Sequence, residues 1–169
     1  MKNSEILNNL LRFVALVLIQ VLLLNNINFL GYINPYVYIL FIILFPLDGN
    51  KSLLIFLSFL LGLSIDIFED SGGVHAAACT FIAYIRPVAL KYSFGVSYEY
   101  NSVKINKADF LERIIYIASL VFMHHLILFI LEIFNFNHIL LILKSTLFSG
   151  IFSIIIILCT LVLFNRKPS

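Results

Sequence analysis

Charge is scarce in this sequence. Only 12% of its 169 residues are Asp, Glu, Lys or Arg, while 62% are hydrophobic, and the mean hydropathy is +1.05. Soluble domains average about 25% charged and roughly 45–50% apolar residues, so a sizeable soluble domain is excluded. Cysteine is almost as rare. Cys79 and Cys159 both fall inside apolar runs, which reads as small packing residues and excludes a disulfide framework. There is no Gly-rich phosphate loop, nucleophile elbow or CxxC pair, and no basic, aromatic-interleaved patch for nucleic acid. Nothing in the residues argues for an enzyme or for a cofactor. The opening stretch MKNSEILNNLLRF runs into apolar sequence without an A-x-A-like site, so no secretory signal is expected.

What is present is a series of long apolar runs. Their extents predict an all-α membrane protein, one six-helix transmembrane bundle over residues 1–169, with spans at about 10–30, 36–47, 52–68, 74–90, 110–134 and 139–164. The runs do not alternate apolar and polar residues, which excludes a β-barrel. The second run has twelve residues. At about 1.5 Å per residue it falls short of a ~30 Å hydrocarbon core, so it is either a short helix sheltered by neighbours or a re-entrant segment. Residues 91–109 form the long polar loop, expected either to lie on the inner leaflet or to bind a soluble partner.

Basic residues give the orientation. With six spans and a cytoplasmic N-terminus, Lys2, Arg12, Lys51, Arg86, Lys91, Lys104, Lys107, Arg113, Arg166 and Lys167 all fall on the inner side, ten of the eleven. Lys144 is the exception. Asp66, Glu69, Asp70 and Glu132 fall towards the outside. Both termini are therefore expected in the cytoplasm.

Polar and small residues mark the places that matter. Ser58, Gly62 and Asp66 recur every four residues, facing Ala76, Thr80 and Ala83 across a turn; Ser145, Ser149 and Ser153 repeat the pattern later. Small residues let helix backbones approach closely. Each stripe is either a docking face for a partner helix or ordinary internal packing. Asp66 and His75 lie symmetrically about the turn that holds Gly73. They form either a proton relay or ligand site, or a polar pair that fixes the turn. Arg86-Pro87 should end the straight part of the fourth helix, with Arg86 either anchoring the interface or contacting a cytoplasmic partner. His124, His125 and Glu132 on the fifth helix suggest structural hydrogen bonding more than a metal site, because H-E-x-x-H is absent. Lys144 breaks the charge pattern, and an ion pair with Glu132 across the last turn would explain it.

These residues carry a resemblance. Gly62-Leu63-Ser64-Ile65-Asp66-Ile67-Phe68, Gly73-Val74-His75-Ala76-Ala77-Ala78 and Ile85-Arg86-Pro87 resemble the rod shape-determining protein MreD family, as does Asn34-Pro35-Tyr36 before the second run. Size, short loops and basic termini agree over the full length. Family members often carry a Pro ahead of the hairpin glycine, where Ser71-Gly72 stands here. The resemblance implies no catalysis. It implies an inner-membrane component of the machinery that builds side-wall peptidoglycan, bound to MreC. Through MreC it implies links to MreB, a RodA-type glycosyltransferase and the elongation transpeptidase. The family's six-helix fold is also similar to the substrate-binding subunits of energy-coupling-factor transporters, which keeps a second class open: a small-molecule-binding membrane subunit.

Overall fold

The computed structural model describes residues 3–25, 27, 29–31, 33–47, 49–99 and 108–164. Expectations resting on Lys2, Lys104, Lys107, Arg166 and Lys167, and on the middle of the 91–109 loop, lie outside the described residues. The fold is all-helical. Helix α1 spans Asn3–Ile19 and widens into a π-helical turn over Gln20–Leu24; α2 is Leu40–Ile43, α3 Lys51–Glu69, α4 Val74–Glu99, α5 Phe110–Ile133 and α6 Ile139–Phe164. Stretches 7–24, 51–69, 110–133 and 139–163 are long and apolar enough to cross a membrane. This is a membrane protein.

The second run departs from a regular helix. Of residues 36–47 only Leu40–Ile43 are α-helical, and residues 34–37 adopt no regular secondary structure although most of this stretch is buried. The cause is local. Pro35 disfavours a helical conformation at Asn34 and itself has no N–H to offer. The chain enters this segment through a tight turn, where Phe29 and Ile33 exchange backbone hydrogen bonds around Leu30 and Gly31, both at positive φ.

Contact pairs set the directions of the elements. Arg12 meets Leu44, and Gln20 meets Pro35 and Val37, so the segment runs antiparallel to α1. Gly62 abuts Ala76, Arg86 meets Tyr116, and His125 meets Ser153, so α3, α4, α5 and α6 alternate in turn. The buried core is the segment itself, from Tyr36 to Ile43, wrapped by Leu61 and Ile65 of α3, Cys79 and Ile82 of α4, Tyr116 to Val121 of α5 and Ile157 of α6. The helices form a wall; the irregular strand of chain is threaded through its middle.

The α3–α4 hairpin shows why its glycines are needed. An added Cβ at Gly62 would sit 2.4 Å from the His75 carbonyl oxygen and 2.5 Å from the Ala76 backbone. Only a hydrogen fits, which is how the two backbones come so close. Asn50 starts α3 by accepting from the N–H groups of Ser52 and Leu53. The turn out of α3 passes Asp70, Gly72 and Gly73, all at positive φ.

Helix α4 corrects one expectation. It does not end at Pro87 but runs through it, and its helical dihedrals first fail at Gly95 (φ 48°, ψ −126°). Packing between α3 and α5 holds the helix across the proline. Gly95 is the residue that can adopt such angles without strain.

Candidate functional site

The site is built around the irregular segment. Backbone groups at membrane depth need partners from protein, since lipid supplies none. Here α1 and α6 supply them. Asn34 N–H donates to Ser149 Oγ (3.1 Å) and Tyr36 N–H to Ser153 Oγ (2.8 Å), both on α6. Val37 N–H donates to Gln20 Oε1 (2.9 Å), and Gln20 Nε2 donates to the Pro35 carbonyl (3.1 Å). Gln20 is fully buried at the first residue of the π-helical turn, where widening of α1 sets its amide against the segment. The serine stripe of α6 is therefore a row of acceptors for irregular backbone.

At the other end of the segment, α2 exposes carbonyls with no helical partner. Arg86, only 4% exposed, fills this need. Its Nη2 donates to the carbonyls of Ile43 and Phe45, and its Nε to Tyr116 Oη; Tyr116 Oη also donates to Ile43. Arg12 Nη1 adds a bond to the Leu44 carbonyl. No carboxylate pairs with Arg86 among the described residues. The negative ends of the α2 peptide dipoles take that place. Arg86 is thus neither an interface anchor nor an exposed partner contact, as the sequence suggested. It is a buried clamp.

Near the α3–α4 turn lies the third group. Asp66 is buried, and its carboxylate accepts from the backbone N–H groups of His75 (3.0 Å) and Ala76 (2.8 Å) and from Ser71 Oγ (2.5 Å). It caps the first turn of α4 from a neighbouring helix. The expected pairing of Asp66 with the His75 ring is not what forms. The carboxylate is drawn to the orphan helical amides that the Gly62 contact brings within reach. The imidazole turns the other way: Nε2 lies 2.7 Å from Glu69 Oε2 and Nδ1 lies 2.7 Å from Tyr38 Oη. Tyr38 Oη continues to His124 Nε2 at 3.0 Å, and Cys79 Sγ stands 3.9 Å from that nitrogen. His124 Nδ1 has no partner. His125 is held separately, between the Val121 carbonyl (2.8 Å) and Ser153 Oγ (3.1 Å). Tyr36 packs edge-on against the ring of His75 and tilted against that of His125, each at 5.4 Å between centroids.

The remaining sequence candidates stand apart. Glu132 and Lys144 are both exposed, and no ion pair joins them among the described residues. The expected brace is absent because the two side chains lie on outward faces of α5 and α6. His125 is buried, whereas Glu132 is exposed. No three His, Cys, Asp or Glu residues gather as metal ligands among the described residues. Tyr38, Glu69, Gln20 and the acceptor role of Ser149 and Ser153 were not legible as a site. The available signals were Gln20 alone in an apolar run and Asn34-Pro35 opening a run too short to span.

No protein-family model matches this chain, and no curated protein or solved structure is significantly similar to it.

Proposed function

We propose that the chain is a non-enzymatic membrane component of the bacterial cell-elongation machinery that binds MreC through the outer face of the α3–α4 hairpin. The motif residues that resemble the MreD family are spent on bracing: Gly62 and Asp66 fix α3 to α4, Gly73 opens the turn, His75 is locked by Glu69 and Tyr38, and Arg86 clamps α2. Such bracing suits a rigid binding surface. The observation that carries the reading is a shallow groove of about 700 Å³ on this hairpin. Its floor is small, with Gly73, Ala76, Ala77 and Thr80; its walls are Phe59, Leu63, Phe81 and Tyr84. Small residues flanked by large ones accept a partner transmembrane helix. MreB, the RodA-type glycosyltransferase and the transpeptidase would be reached through that complex. By the positive-inside rule the chain sits in the inner membrane with both termini cytoplasmic.

The second reading, a substrate-binding subunit of a transporter, would place a ligand among Tyr36, Tyr38, His75, His124 and His125. Those rings already pack on one another, with centroids 5.4 Å apart for Tyr38 and His124 and 5.5 Å for the two adjacent histidines. The described cavities lie elsewhere and are lined mainly by apolar side chains.

Ala77 gives the test, because it is exposed on the groove floor and away from the Gly62 contact. MreC co-expressed with the parent chain should co-purify with it. Ala77→Trp should lose MreC at unchanged abundance. Undiminished recovery by Ala77→Trp would overturn this face, and no recovery by the parent would overturn the reading itself.

A further inference from the structure

Glu69, His75, Tyr38 and His124 come from four different elements, yet they make one unbroken hydrogen-bonded chain. It begins at the Glu69 side chain, which is 23% exposed near the α3–α4 turn. It ends at His124 Nδ1, buried and unpartnered. Each of its junctions lies within hydrogen-bond distance, so each holds one proton between two heavy atoms.

That geometry constrains the direction of every bond. A neutral imidazole carries a proton on one nitrogen and accepts at the other, and a phenol has one proton to donate. If His75 Nε2–H donates to the Glu69 carboxylate, His75 Nδ1 must accept from Tyr38. The Tyr38 oxygen must then accept from His124 Nε2–H, and His124 Nδ1 is left bare. With one more proton the bonds from His75 through Tyr38 to His124 point the other way. His75 Nδ1–H donates to Tyr38, Tyr38 donates to His124 Nε2, and His124 carries its proton on Nδ1. The proton between Glu69 and His75 is shared across their 2.7 Å contact. The balance is one proton gained from solvent. Counted by group, His75 gains that proton as an imidazolium beside Glu69, Tyr38 keeps one proton, and His124 keeps one proton that changes from Nε2 to Nδ1.

We propose that this chain is a proton-binding site in the core of the bundle, in which protonation at the Glu69–His75 end is coupled through Tyr38 to the tautomer of His124. The unpartnered nitrogen of His124 changes from acceptor to donor when the proton binds. Ionisable chains of this kind inside membrane proteins are expensive and serve proton relays where they occur.

The surroundings favour such a site. From α3, Asp66 faces the backbone of His75 and is occupied by the α4 amides. From α4, the Cys79 thiol stands against His124. From the segment, Tyr36 covers His75. From α5, His125 lies beside His124 but is bonded to Val121 and Ser153, and Glu132, partly exposed, stands within electrostatic reach of His75, Glu69 and Tyr36. From α6, Ser153 is already engaged by Tyr36 and His125. Glu69 is thus the carboxylate in hydrogen-bond contact with the His75 ring.

The test is nitrogen-15 NMR of the full chain, labelled at its four histidines and placed in phosphatidylcholine bilayers. His124 is identified by the loss of its signals in His124→Gln. Lowering the pH from about 9 to about 5, where histidine ordinarily titrates, should move the His124 proton from Nε2 to Nδ1. Tyr38→Phe should leave His124 in one tautomer throughout, because the link is cut. Glu69→Gln should move the change to lower pH, since the imidazolium loses its carboxylate. A single His124 tautomer across the range in the parent would overturn the proposal. So would a switch that persists unchanged in Tyr38→Phe.

Discussion

Two residues set the stability of this fold more sharply than their side chains suggest. Gly62 is confined by backbone atoms, and backbone cannot yield as a flexible side chain can. Gly62→Ala should therefore lower stability by about 1–3 kcal/mol through overpacking, read as a lower midpoint of thermal unfolding in detergent, and Gly62→Leu should prevent accumulation. Gly150 is the control. A Cβ there meets nothing within 4 Å, so Gly150→Ala should hold or raise stability, by up to about 1 kcal/mol from helix propensity. Equal losses at both glycines would refute the close-approach argument. Arg86 is the second residue. Its forked guanidinium serves two carbonyls and a phenol at once, a geometry an ammonium cannot copy. Arg86→Lys should cost about 1–3 kcal/mol by leaving buried acceptors unsatisfied, and Arg86→Lys with parental thermal stability would refute the clamp. The importance of both positions could be read in the sequence, since a glycine in a small stripe and an arginine beside a proline stand out in apolar runs. The partner of Arg86 could not. Its acceptors are main-chain carbonyls more than forty residues earlier, and nothing in a main chain marks it as an acceptor.

Among the elements, the helices were legible and the segment was not. Runs of apolar residues about as long as a bilayer's core is thick, or longer, specify α3, α5 and α6 almost by length alone, whereas twelve residues beginning after Asn34-Pro35 are too few for a regular span. What takes its place depends on acceptors that sequence cannot pair with it: Gln20 on α1 and two serines on α6. Their contribution can be measured. Ser153→Ala removes the acceptor of the buried Tyr36 N–H, and Gln20→Leu strips partners from both Val37 and Pro35. Each should cost about 1–3 kcal/mol, the penalty for a buried group left unsatisfied. Hydrogen exchange at the Tyr36 and Val37 amides should rise accordingly, while exchange in the middle of α3 stays slow. Unaltered protection at both amides would show that the segment is held by packing alone. The same reasoning explains why the stripes on α3 and α6 look alike in sequence yet act differently. Gly62 admits a backbone, whereas Ser149 and Ser153 answer one.

At the scale of the whole molecule, the contacts give each element a direction relative to its neighbour. The segment pairs antiparallel to α1, and α3, α4, α5 and α6 then alternate in direction. We propose that all six cross the membrane, one of them mostly non-helical, an even number that would bring both termini to the same side. Lys51, Lys91 and Arg113 lie towards that side, at the start of α3, the far part of α4 and the start of α5, with Arg12 midway along α1. Basic residues of this kind are retained in the cytoplasm. Asp70 and Asn137, in the α3–α4 and α5–α6 turns, lie at the opposite end. The prediction is tested with single cysteines in a chain whose Cys79 and Cys159 have been replaced. Asn137→Cys should react with a membrane-impermeant maleimide added to intact cells, while cysteines at Asn3 and Ser169 should react only after the membrane is opened. Labelling of either terminus from outside would invert or break this topology. Labelling of Asn3 and Asn137 from outside, with Ser169 protected, would mean that the segment does not return the chain across the membrane, and its serine and glutamine partners would then need another explanation.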